Sequence, residues 1–209
     1  MNNEIRIPKQ KRSIEKKELI IDSGWKLIAS NGYYNTNTAE IAKQAEVSTG
    51  IVYQYFKDKH DILIAGIHKY GDEIFYPMLK LDKNKIDKNN FSGVIKEMIE
   101  EYIKDHRISK NAHEEIMSMV HTDKEVAEYY YNREMNLTNQ LYENLVSNHM
   151  NSSNLKEKVH IIIGMIDNLC HEIVYHQHSQ LDYKAMTDIV IGNINNLIAE
   201  NIEKTVVMK

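Results

Sequence analysis

Thr38–Leu63 reads TAEIAKQAEVSTGIVYQYFKDKHDIL, and its spacing predicts two short helices joined by a tight turn. Asn37 stands where an N-cap is needed, and Glu40 three residues later completes a capping-box pattern. Ile41, Ala42 and Ala45 give the first helix a small buried face. The turn falls on Glu46-Val47-Ser48, and Ser48 is placed to cap a second helix from Thr49 to about Phe56. Ala42 and Ala45 are small enough to let the two helices approach closely, with Val47 and Val52 filling the crossing. Ile41, Ile51, Phe56, Ile62 and Leu63 anchor the pair to flanking helices. The unit is a helix-turn-helix.

Upstream, Ser13 is expected to cap a helix that runs to about Asn31, with Ile14, Ile21, Trp25 and Ile28 on one apolar face. Asn31-Gly32 stops it. Downstream, Asp58 caps a fourth helix with Asp61 in its first turn and Ile62, Leu63 and Ile67 inside, and Pro77 ends or kinks it. Residues 81–90 (LDKNKIDKNN) read as a polar linker. Further helices are expected at about 91–107, 110–121, 123–149, 154–178 and 183–204. No segment alternates with period two. The fold class is therefore all-α: an N-terminal tail and three-helix, helix-turn-helix domain over residues 1–58, then a helical body over residues 59–209.

The 209 residues are 42% hydrophobic and 27% charged, an ordinary globular balance, and 2 Pro with 8 Gly leave room for long helices. One cysteine, Cys170, excludes an internal disulfide and a Cys-based zinc site. There is no signal-peptide pattern and no apolar run long enough to span a bilayer, so a cytoplasmic location is expected. The net charge of -4 hides an asymmetry. Residues 1–60 hold ten bases against seven acids, a net +3, and the remainder holds sixteen against twenty-three, a net -7. A basic head on an acidic body suits attraction of one end to nucleic-acid phosphates.

The exposed side of the second helix of the pair presents Thr49, Gly50, Tyr53 and Gln54. Thr and Gln read base edges in the major groove, and a glycine permits close backbone approach. The run VSTGIVYQYFKDKHDIL resembles the TetR-family signature, as do Gly32-Tyr33, Thr38, Ala39, Ile41 and Ala42 in order and spacing. The resemblance covers about fifty residues, and it implies a transcriptional repressor that binds double-stranded, pseudo-palindromic operator DNA. It further implies that Thr38 binds a phosphate at a helix N-terminus, that Ser48, Thr49, Gly50 and Gln54 face the groove, and that Tyr53, Tyr55 and Lys59 contact the DNA backbone. For the two tyrosines, partial packing in the core is the alternative.

One short recognition helix offers few base contacts, which a two-fold dimer doubles. Broad apolar stripes over residues 154–204, including Val159, Ile163, Ile166, Ile189, Ile194 and Leu197, are candidates for the interface, and the resemblance implies a homodimer through these two helices. The body mixes Met, Tyr and His as a pocket for a small lipophilic effector would: Tyr70, Ile74, Tyr102, His106, His113, Met117, His121, Tyr131, Met135, Met165 and Cys170. Ordinary core packing is the competing reading for each. The expected direction is release from DNA on effector binding. The alternatives are a metal-responsive regulator or a non-specific DNA binder. No His–His pair has i, i+4 spacing, and a pair such as Glu172 with His176, which has it, is common by chance, so no metal site is expected. No cofactor loop or nucleophile elbow is present, and adjacent Cys170 and His171 point apart on a helix, so no enzymatic activity and no cofactor are expected.

Overall fold

The computed structural model of the chain describes residues 8–71, 90–105 and 108–199. Among these, nine helices and no strand are found. Pro77 and nearly all of the expected linker at 81–90 lie outside the described residues. Helix α1 covers Lys11–Asn31, α2 Thr38–Gln44, α3 Thr49–Tyr55 and α4 Lys59–Tyr70. The body adds α5 Phe91–Asp105, α6 Lys110–Thr122, α7 Lys124–Ser147, α8 Leu155–Tyr175 and α9 Tyr183–Ala199. The chain gathers into two compact units, Met1–Phe75 with Arg107–Tyr131, and Tyr76–His106 with Asn132–Lys209.

The first unit is organised by α1. It begins two residues before the expected cap: Gln10 is the N-cap and Ser13 lies inside the helix. Ile14 is 45% exposed and leaves the apolar face, because the burying partners begin only at Ile20 and Ile21. Gly32 ends the helix at φ 90, a conformation that side chains avoid, and a Cβ there would also meet Asn111 and the Glu115 carboxylate of α6. Glycine is required again where α1 crosses α4. A Cβ on Gly66 would stand 2.8 Å from Trp25 Cε3, and one on Gly24 would collide with Ile62. Two carboxylates of α1 complete the crossing: Lys69 Nζ donates to Glu18 Oε2 at 2.7 Å and to Asp22 Oδ1 at 2.5 Å. Together these bonds raise the Lys69 pKa.

Helix α6 packs on the end of α1. The N–H of Ser109 donates to the Ala29 carbonyl at 3.0 Å, and Ser109 Oγ then caps α6 through the N–H of Ala112. Asp123 opens α7 by accepting from the N–H groups of Glu125 and Val126. In the second unit α5, α8 and α9 pack on one another around Ile95, Met98, Tyr102, Ile162, Ile166 and Ile194. Thr138 Oγ1 and His160 Nδ1, 3.0 Å apart, tie α7 to α8. Side chains of this size contribute roughly 1.5–3 kcal/mol each when fully buried, which is what holds such a bundle together.

Candidate nucleic-acid interface

The helix-turn-helix is built as its sequence requires. Asn37 Oδ1 accepts the N–H groups of Ala39 and Glu40, both at 3.0 Å, and Glu40 Oε2 accepts the N–H of Asn37 at 3.2 Å. Helix α2 stops with Glu46 in the left-handed region at φ 53. The N–H of Glu46 then reaches the Lys43 carbonyl and that of Val47 the Ala42 carbonyl, at 3.2 and 3.0 Å. Ser48 follows as the N-cap of α3 with no side-chain capping bond, so its hydroxyl is not committed to the helix. Asp58 caps α4 by accepting from His60 and Asp61.

Burial sorts the α3 side chains. Val52, Tyr55 and Phe56 join Ile20, Ile21, Ile41, Ala45 and Ile62 in one apolar cluster. Ser48, Thr49, Gly50, Tyr53 and Gln54 are exposed. Gly50 has open space at its Cβ position apart from the Ser48 hydroxyl at 3.9 Å. Tyr53, 43% exposed, meets Thr38 at the start of α2: their hydroxyl oxygens are 3.0 Å apart. Thr38, Ser48, Thr49, Gly50, Tyr53 and Gln54 are therefore brought together on the α2–α3 surface.

Tyr55 is not. At 4% exposure its ring is core, and the packing alternative holds for it, because i+2 on a helix points away from Tyr53. Lys59 also has a role its sequence position did not signal. Its ammonium donates to the carbonyls of Tyr33 at 2.6 Å and Thr36 at 2.8 Å and lies 4.2 Å from the Tyr33 ring centroid. Burial lowers its pKa, against the opposing pull of Glu115 and Glu40. The residue thus clamps the loop that leads into α2. Glu115 holds the same loop from α6, accepting from the N–H of Tyr34 at 3.1 Å. His60 meets Asp123 at 2.6 Å. Burial alone would raise the Asp123 pKa, but hydrogen bonds from Val126 and His60 bring it below its ordinary value. Sequence reading missed these clamps, which join residues 23 to 81 positions apart and leave no local pattern.

The residues expected to line a pocket are divided between the two units. In the first unit Tyr70 donates to Asp22 at 2.7 Å and stacks on Trp25, His113 is buried, Met117 is half-buried and His121 and Tyr131 are exposed. In the second, Tyr102 and Cys170 are buried, Met165 is half-buried and Met135 is exposed. Ile74 and His106 lie outside the described residues. Burial raises the Cys170 thiol pKa far above its usual value, which leaves it unreactive. Of the carboxylates and imidazoles, Asp58, His60 and Asp61 offer ligand atoms within 4.8 Å of one another, but both aspartates are already engaged by backbone N–H groups at the start of α4. No described helix is long and apolar enough to cross a membrane.

A three-helix head whose third helix stands exposed on a capped second helix defines the helix-turn-helix class. Residues 20–65 match the family model described as bacterial regulatory proteins, tetR family. The HTH-type transcriptional regulator HbdR of Aromatoleum sp. (strain CIB) is 51% identical over 49 residues, 23% of this chain and 21% of that protein. The fatty acid metabolism regulator protein of Bacillus subtilis (strain 168) is 51% identical over 57 residues, 27% and 28% of the two chains. The matches thus span about a quarter of the length of these curated relatives. The fold extends further. A transcriptional regulator from Saccharomonospora viridis, solved in complex with choline, superposes with a TM-score of 0.65 at 15% identity, over 87% of this chain and 96% of that one.

Proposed function

We propose that the chain is a DNA-binding transcriptional regulator, a homodimeric repressor released from a pseudo-palindromic operator by a small lipophilic effector. The observation that carries the DNA-binding part is the α3 surface. Ser48, Thr49, Gly50 and Gln54 stand exposed while the opposite side of the helix is locked into the core, so the face presented to a major groove is rigid. Thr38 and Tyr53 flank it as phosphate ligands, and Lys59 holds the loop behind it. The reading unit is residues 1–58, and residues 59–209 sense the effector and dimerise. For the dimer, support comes from α8 and α9, where Ile161 is 53% and Ile189 62% exposed. A second copy covers such a face at the least cost in new contacts. For a small-molecule effector, support comes from the similar fold solved in complex with choline; the lipophilic character rests on the Met- and Tyr-rich body helices. The protein acts in the cytoplasm.

Selection of duplexes from a random pool tests this reading. An enriched sequence with two related half-sites, centred roughly 34 Å apart, is the expected result. Binding of all duplexes alike favours a non-specific DNA binder instead.

A further inference from the structure

We propose that the start of α1 is a second contact with the DNA backbone, in which Arg12, Lys16 and Lys17 bind phosphates beside the recognition helix. The inference rests on the DNA-binding reading of the head. Its first support is position. Ile20 and Ile21 share a core cluster with Tyr55 and Phe56, so the first turns of α1 run beside the end of α3. The Lys17 ammonium accordingly lies 5.4 Å from the centroid of the Phe56 ring. Lys57, exposed just beyond Phe56, continues the basic surface.

The second support is the way α1 divides its charge. Glu18 and Asp22 lie one turn apart on the side that takes Lys69 from α4. Arg12 and Lys16 are also one turn apart and exposed, and Lys16 is turned roughly 200° from Glu18 around the helix. Like charges at i, i+4 destabilise a helix, a penalty that an anion between them removes. The third support is vacancy of partners. Lys11 has Glu15 at 3.9 Å, Lys69 has two carboxylates and Lys59 two carbonyls. Among the described residues, Arg12, Lys16 and Lys17 are paired with no carboxylate. Apart from the contact of Lys17 with the Phe56 ring, these cations take no part in holding the fold, and they stand next to the surface proposed to read DNA. A phosphate backbone is the anion whose repeating charge suits a row of separate bases.

The test compares the full chain with R12Q/K16Q/K17Q on two probes: the duplex enriched by the wild-type protein and a random 30-base-pair duplex. Each lost phosphate contact lowers the slope of log K against log salt by about 0.9. The expected result is a slope smaller by about 2 to 3 on both probes, with the preferred sequence unchanged and the helical circular-dichroism signal intact. R12Q/K16Q leaves the Phe56 contact in place and guards against a folding defect; a slope smaller by about 2 is expected there. R12K/K16R/K17R should bind as the wild type does. An unchanged slope in R12Q/K16Q overturns the proposal while leaving the DNA-binding reading intact. Failure of the wild type to bind either probe overturns both.

Discussion

The hydroxyl oxygens of Thr38 and Tyr53, one at the start of α2 and one on the exposed side of α3, lie 3.0 Å apart, so the two helices are tied at the surface as well as through the core. If the pair presents one preorganised ligand to a phosphate, removing either partner should do most of the damage. Thr38→Ala and Tyr53→Phe should each weaken operator binding by about 2- to 10-fold, the range of about 0.5–1.5 kcal/mol expected of a single net hydrogen bond. The double variant should lose little more than the worse single one. Additive losses in a binding titration would mean that the two hydroxyls act independently.

Lys59 carries a structural load. Its ammonium satisfies the Tyr33 and Thr36 carbonyls, and a partly buried acceptor left without its donor costs about 1–3 kcal/mol. Lys59→Met is therefore expected to lower the thermal midpoint by roughly 2–4 °C per kcal/mol lost, even without DNA. An unchanged midpoint, with DNA binding alone reduced, would limit Lys59 to phosphate contact.

Much of this head is legible in sequence because its signals are local. Asn37 with Glu40 and Asp58 with Asp61 mark helix starts through bonds that span three or four residues, and the structure forms them as spaced. The body helices also start within a residue of their expected positions, since burial imposes the 3.6-residue period over long stretches, while the expected ends at 107 and 204 lie outside the described residues. What the chain does not declare depends on distant partners. Tyr55 and Tyr53 are the same amino acid two positions apart, and only the placement of α1 and α4 sends one ring inward. Ile14 looks like core until the structure places it ahead of the first residues that α1 buries, at Ile20 and Ile21. The Met-, Tyr- and His-rich positions of the body mark helices without saying which faces meet, so His121, Tyr131 and Met135 emerged exposed.

The turn of the helix-turn-helix holds a stability reserve. Glu46 occupies the left-handed position that ends α2, where a Cβ costs roughly 1–2 kcal/mol and a glycine costs nothing. Glycine gives back part of that through a more flexible unfolded chain. Glu46→Gly is thus expected to stabilise by about 0.5–1 kcal/mol and raise the thermal midpoint by about 2 °C. A lower midpoint would mean that the Glu46 side chain contributes something its exposure does not suggest.

Asp167 makes the second unit sensitive to pH. It lies on α8 with His171 Nδ1 3.5 Å away, and burial, then the charge of Glu134, pushes its carboxyl up to about 7. The native chain holds this proton more tightly than the unfolded one does. Below the unfolded value of about 3.9 the group has no effect on stability, and its ionisation destabilises the fold increasingly as pH rises towards 7. Asp167→Asn should leave the melting temperature nearly unchanged at pH 4 and raise it at pH 8, by roughly 2–4 °C for each kcal/mol of relieved penalty. Equal shifts at the two pH values would remove Asp167 as the cause.

The claim that the exposed side of α3 reads DNA is tested most directly by comparing the base preferences of the wild type and Gln54→Ala, each selected on the same random duplex pool. Gln54 is exposed and has no bonding partner among the described residues, so the variant should fold as the wild type does. The account predicts two half-sites in both cases, with preference relaxed at one position of each half-site in the variant, by about 1–3 kcal/mol of discrimination. Identical preferences at every position would contradict it.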